Sequence, residues 1–157
     1  MQAFITHPSL RESARRLDTR RLGKQILECV QMLRALDALD IGEKRGWQHH
    51  PVTLAFKDHR LTLAAFGWWC WMEWFRRGYD SHRAAKEEFV TFHVWYAMQD
   101  RTLRKGEHHP NITREYYPLP PGFCSLPDHM TMFRKLHEKS PEKYPWTMWT
   151  NTTEDYY

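Results

Sequence analysis

The chain has 157 residues, 41% of them apolar and 15% aromatic, which suits one globular domain with a substantial core and excludes a disordered chain. The net charge of +4 permits a polyanionic partner without requiring one. Three widely spaced cysteines, Cys29, Cys70 and Cys124, exclude a disulfide framework and a zinc knuckle. The first ten residues are not an apolar run behind a basic region, so no signal peptide is read and a soluble, cytoplasmic protein is expected.

MQAFITHP reads as a short extended segment ended by Pro8. Ser9, with Glu12 three residues later, is a capping-box start for a helix from about Leu10 to Arg16. Asp18 caps a longer second helix to about Leu39. Its apolar residues Leu22, Ile26, Cys29, Val30, Leu33 and Leu36 recur at three-to-four spacing. Gly42 and Gly46 mark a turn, and Pro51 suits the first turn of a third helix. That helix is expected to run unbroken to about Arg77, with Gly78 in the C-cap position. Its segment Leu61–Phe75 is very apolar but short for a membrane span and carries Glu73. Ser81 is read as the cap of a fourth helix to about Arg101. A long irregular segment follows, then a last helix from about Asp128 to Lys139, then an aromatic tail expected to dock. No strand pattern of substance is present. The expected fold is all-α: a compact single domain, 1–157, of four to five helices with long irregular C-terminal segments.

The second helix carries the chemistry. Arg11, Arg15, Arg16, Arg20, Arg21 and Lys24 face only Glu12 and Asp18 in the same stretch. Arg21, Lys24, Gln25 and Glu28 fall within about 100° of one another on a helical wheel, and the apolar stripe is centred roughly 110° away. This polar set therefore flanks the buried face, where clefts form. A solvated surface with a Lys24–Glu28 pair is the plain alternative. Gly23 in the helix interior costs about 1 kcal/mol relative to alanine and points to close approach by another backbone or a ligand.

Other candidates are less specific. His49 and His50 precede a helix N-terminus, an anion-friendly position. His49, His50, His108 and His109 lack the spacing of a metal set, and no metal is expected. Trp68, Trp69, Trp71 and Trp74 read mainly as core, with a base-stacking platform the minority reading. The tail aromatics Tyr144, Trp146, Trp149, Tyr156 and Tyr157 pack or face a substrate. Arg114, Arg134, Lys135 and Lys139 either extend a phosphate-binding surface or are ordinary solvated charges.

Four features occur in order: LDTRRLGKQILE (Leu17–Glu28), GW-x-HHP (Gly46–Pro51), a helix ending in RRGYD (Arg76–Asp80), and His129 followed after a helix by SPEKY (Ser140–Tyr144). Together they resemble the pyrimidine-dimer DNA glycosylase family of the phage endonuclease V type, nearest a bacterial and phage branch with the pattern LDxxRLxKQxxE then W-x-x-HP. The resemblance implies a compact helical domain whose N-terminus threads between helices into the active site. It implies excision of one base of a cyclobutane pyrimidine dimer: the N-terminal amine attacks the sugar C1′, forms a Schiff base, and β-elimination cuts the strand. A helix glutamate stabilises the sugar cation, arginines bind phosphates around the kinked, base-flipped lesion, and no cofactor is needed. An unperturbed α-amine titrates near pH 8, so a useful neutral fraction exists at pH 7.

Two departures shape the expected site. Gln2 is too bulky for normal Met removal, so the amine is that of Met1. A local alignment puts Arg20 and Lys24 over the family's helix arginines and Arg21 over its glutamate. Glu28, two turns along the same face, is then the available acid. The expected catalytic residues are Met1, as nucleophile, and Glu28, with Lys24 an alternative amine. Arg20, Arg21 and Lys24 are expected to hold phosphates, Gln25 and His50 to position the substrate, and His7 to lie near the reactive terminus. The partner is duplex DNA, with a nucleotide as an alternative ligand, no membrane, and a monomer expected. The rival functions are a non-catalytic DNA- or nucleotide-binding protein on the same scaffold, and an N-glycosidic hydrolase of another modified base or nucleotide.

Overall fold

A computed structural model describes residues 1–99, 112 and 114–150, excluding the side chains of 149 and 150. His108, His109, Tyr156, Tyr157, the Trp149 side chain and the expected helix end at Arg101 lie outside the described residues. Seven helices occur among the described residues, with no strand: α1 (Leu10–Arg15), α2 (Thr19–Asp40), α3 (Pro51–Ala55), α4 (Arg60–Arg76), α5 (Arg83–Gln99), α6 (Leu126–Lys139) and α7 (Thr147–Thr150).

The regular structure of the described residues is all-helical, as the periodicity predicts. Ser9 caps α1 and accepts from the Glu12 amide; Asp18 caps α2 and accepts from the Arg21 amide. α2 is the central element and packs on α4, α5 and α3. Its predicted stripe of Leu22, Ile26, Cys29, Val30, Leu33 and Leu36 is buried without exception. α4 also packs on α1 and α5, so it is apolar nearly all round; Trp68 and Trp71 are buried, while Trp69 and Trp74 are half-buried. No helix among the described residues is long and apolar enough to cross a membrane.

The single helix expected from Pro51 to Arg77 is two helices. α3 ends at Ala55, and the chain turns through Phe56 to His59 before α4 begins. Phe56 is fully buried, with its ring 5.5 Å from that of Phe123. A straight continuation would not deliver both that ring and the α4 face to the core. Two helix starts also differ from expectation. Ser81 does not cap α5, which begins at Arg83; its hydroxyl instead accepts from Trp74 Nε1 at 3.1 Å. α6 begins at Leu126, not Asp128: Ser125 is the cap, and Asp128 is the reciprocal partner of a capping box.

Residues 1–9 form a non-helical segment that is largely buried, with Ala3 and Ile5 fully enclosed. They lie between α2 and α6, where His129 Nδ1 meets the Ile5 carbonyl at 3.0 Å. Burial of the His129 ring lowers its proton affinity, the Ile5 hydrogen bond works the other way, and nearby His7 and Arg16 lower it further.

The tightest helix crossing is at Gly67, where a Cβ would lie 2.3 Å from the ring of fully buried Phe89 on α5. Gly67→Ala is expected to cost about 2 kcal/mol by overpacking and to lower Tm by about 6 °C. Thermal denaturation followed by circular dichroism checks this. Most of the loss should return in Gly67→Ala/Phe89→Leu, which empties the clashing space.

Candidate functional site: an N-terminal amine held against a buried carboxylate

A non-helical segment without a neighbouring strand must satisfy its main-chain groups some other way. Here two side chains one turn apart on α2 do so. Gln25, 1% exposed, accepts from the Phe4 amide at 3.0 Å and donates through Nε2 to the Gln2 carbonyl at 2.9 Å. Glu28 accepts from the Gln2 amide through Oε2 at 3.1 Å. Its other oxygen, Oε1, faces the Met1 amine at 3.9 Å and Lys24 Nζ at 3.7 Å. The carboxylate is thus oriented by one main-chain donor and presents its free edge to two ammonium groups. The Met1 side chain is buried although the residue as a whole is half-buried, and the Lys24 side chain is 73% exposed.

Four of the sequence-predicted residues, Met1, Lys24, Gln25 and Glu28, therefore come together. Gln25 spends both its polar groups on the N-terminal segment. It also approaches Cys29 Sγ at 3.5 Å, whose thiol burial pushes far above its usual range. Arg20 is exposed, with no ion-pair partner among the described residues.

The other candidates are placed elsewhere. Arg21 Nη1 lies 2.5 Å from Asp18 Oδ2 and 3.3 Å from the Tyr144 hydroxyl, with its guanidinium over the Tyr144 ring. The Tyr144 hydroxyl in turn donates to Asp18 at 2.5 Å. Burial pushes the Asp18 carboxyl up, but the Tyr144 and Arg21 hydrogen bonds outweigh it and hold it at about 2. His50 caps α3, its Nδ1 accepting from the Val52 amide at 3.3 Å, edge-on to Trp47. His7 is buried behind the site and accepts from the Ser9 amide. Gly23 is approached by a side chain: a Cβ there would lie 3.0 Å from the Trp74 ring.

A family model described as pyrimidine dimer DNA glycosylase matches residues 1–87. The chain belongs to that family. The matched span holds α1 to α4 and the whole Met1–Gln25–Glu28–Lys24 cluster of this glycosylase-family chain. Tyr144 and His129, which brace the cluster's surroundings, lie beyond it. No curated protein and no solved structure matches the chain.

Composition gave no hint of the second staple at this corner. Arg77 donates to the Leu17 carbonyl at 2.7 Å, the Arg15 carbonyl at 3.1 Å and Thr19 Oγ1 at 3.3 Å, while Glu73 holds it at 2.8 Å. The only sequence signal was the RRGYD motif itself. Among the described residues no group of three or more His, Cys, Asp or Glu is arranged to hold a metal.

Two outcomes are expected. Gln25→Ala leaves the Gln2 carbonyl and Phe4 amide unpaired, so exchange of the Phe4 amide, read by hydrogen-exchange mass spectrometry, should accelerate at least tenfold while α4 stays protected. The depressed Asp18 carboxyl stabilises the fold fully above its ordinary value of 3.8, and that contribution is lost as pH falls toward 2. Asp18→Asn should be less stable than wild type at pH 6 and lose less stability between pH 4 and pH 2, as urea denaturation at each pH would show.

Proposed function

We propose that this chain is a DNA glycosylase with an associated AP-lyase step, acting on pyrimidine dimers in duplex DNA through the Met1 α-amine. The observation that carries this reading is the 3.9 Å approach of the amine to Glu28, on a segment clamped by Gln25. The family match to residues 1–87 supplies the substrate class.

The chemistry follows from that pairing. The amine nitrogen's lone pair forms a bond to C1′ as the C1′–N1 glycosidic bond breaks, and the bonding electrons leave with the base. Glu28 lies beside the positive charge that develops on the sugar and takes the proton released from the amine. The N,O-acetal at C1′ opens to an imine as O4′ leaves with the proton that Glu28 holds. The regenerated Glu28 carboxylate then takes a C2′ proton, and the electrons of that C–H bond form the C2′–C3′ double bond as the 3′ phosphate leaves. Arg20 and Lys24, exposed on the same helix, are the cations available to phosphates; Arg21 serves instead to lock Asp18 and Tyr144 at the helix start. Lys24 is as near to Glu28 as the α-amine is, which makes it the alternative nucleophile.

Borohydride trapping on a duplex with one thymine dimer, beside abasic and undamaged duplexes, tests this. A covalent adduct on the dimer and abasic duplexes, mapped by peptide sequencing to Met1, is expected. Glu28→Gln should slow trapping on the dimer about a hundredfold while retaining duplex binding. An adduct at Lys24 would move the nucleophile. Binding without any adduct would replace catalysis by a binding function.

A further inference from the structure

The RRGYD motif has a product that the amine chemistry does not use. Gly78 takes φ +94 to end α4, and the Tyr79 amide folds back to the Trp74 carbonyl at 3.2 Å. This lays the Tyr79 ring on the Trp74 indole, centroids 4.4 Å apart and planes 27° apart. Trp74 is itself fixed three ways. Its Nε1 donates to Ser81, its six-membered ring fills the space left by Gly23, and the His82 ring abuts it at 5.4 Å from a residue held at φ +63. The Arg77 staple ties the whole turn to the α1–α2 corner. Yet Tyr79 remains 42% exposed, and its outer face meets no other ring among the described residues.

The α2 face that Trp74 meets is cationic, and the one acid next to Tyr79, Asp80, is paired with Arg83. Arg20, Gly23, Lys24 and Leu27 share one face of α2 at i, i+3, i+4 and i+7, so the place where Trp74 meets Gly23 is bordered by Arg20 and Lys24. Both are exposed, and Leu27 beside them is 46% exposed. A preassembled aromatic face rimmed by cations is the physical form of a platform for bases on a phosphate backbone. Gly23 and Glu28 are separated by about 7.5 Å of helix rise and lie on opposite flanks of a helix about 10 Å across. The two positions on α2 are therefore roughly 12 Å apart, and the ring pair and the amine occupy separate places beside that helix.

We propose that Tyr79, backed by Trp74, is a stacking platform for an unpaired DNA base other than the one whose sugar meets the amine, with Arg20 and Lys24 holding nearby phosphates. The proposal rests on the reading of this chain as a DNA glycosylase. It adds a second contact that recognises opened rather than paired DNA and does not itself take part in bond breaking.

The test uses the full chain with Tyr79→Phe and Tyr79→Leu. Leucine keeps an apolar contact on Trp74 but has no π-face. Two probes are titrated by fluorescence anisotropy: a fully paired duplex and the same duplex with a three-nucleotide unpaired tract containing 2-aminopurine. Wild type and Tyr79→Phe are expected to prefer the unpaired tract about tenfold and to quench 2-aminopurine. Tyr79→Leu should lose both effects while binding the paired duplex as wild type does. Retention of preference and quenching in Tyr79→Leu, or no preference in wild type, would overturn the platform. Imine trapping on an abasic duplex, run on the same preparations, reports separately on the glycosylase reading: normal trapping with no tract preference sinks only the platform.

Discussion

The structure depends on how a non-helical N-terminal segment is paid for in hydrogen bonds. Residues 1–5 run through the body of the molecule, with Ala3 and Ile5 fully buried, and have no strand beside them, so their amides and carbonyls turn to side chains. Gln25 supplies an acceptor and a donor, and Glu28 supplies a second acceptor one turn later. The i, i+3 spacing of these two residues matches the advance of the segment closely enough for both to engage it. The same constraint explains why two polar residues sit at 1% and 8% exposure on a helix that is otherwise the centre of the core. The seam that completes the fold is also the seam that brings the amine to a carboxylate.

Charge is partitioned at this end of the molecule in a way that a count of arginines hides. Arg21 is committed to Asp18 and Tyr144, and Arg77 to Glu73 and three acceptors at the α1–α2 corner. Arg16 is buried against the Thr6 carbonyl. These cations act as multi-donor staples, a role suited to the planar guanidinium. Arg20 and Lys24 are left facing solvent beside the site. A basic stretch thus divides into structural and available charge according to which side of the helix each residue occupies.

The family match ends at residue 87, but the described structure beyond it encloses the matched part. His129 on α6 closes over Ile5, the Leu10 amide donates to the Glu115 carbonyl, and Tyr144 reaches back to the start of α2. The C-terminal elements therefore hold the N-terminal segment from the side opposite α2. They contribute to the site by setting where the segment lies.

Whereas the short α7 in the aromatic tail was not, the helices α1, α2, α5 and α6, the buried stripe of α2, the caps at Ser9 and Asp18, and the polar flank Arg21–Lys24–Gln25–Glu28 were legible in the sequence. They depend on local spacing and on hydrogen bonds within a few residues. The break between α3 and α4 was not legible, because it is driven by burial of Phe56 against Phe123, 67 positions away, and no local breaker marks it. Nor was the divergence of Arg20 and Arg21, adjacent residues that face solvent and Tyr144 respectively. The same is true of Gln25: its position on the flank followed from periodicity, but its partners, Gln2 and Phe4, lie more than 20 residues away. Local sequence determined which side chains share a face. Only tertiary packing decided what met that face, because the partners come from distant segments whose approach is set by burial of the whole core.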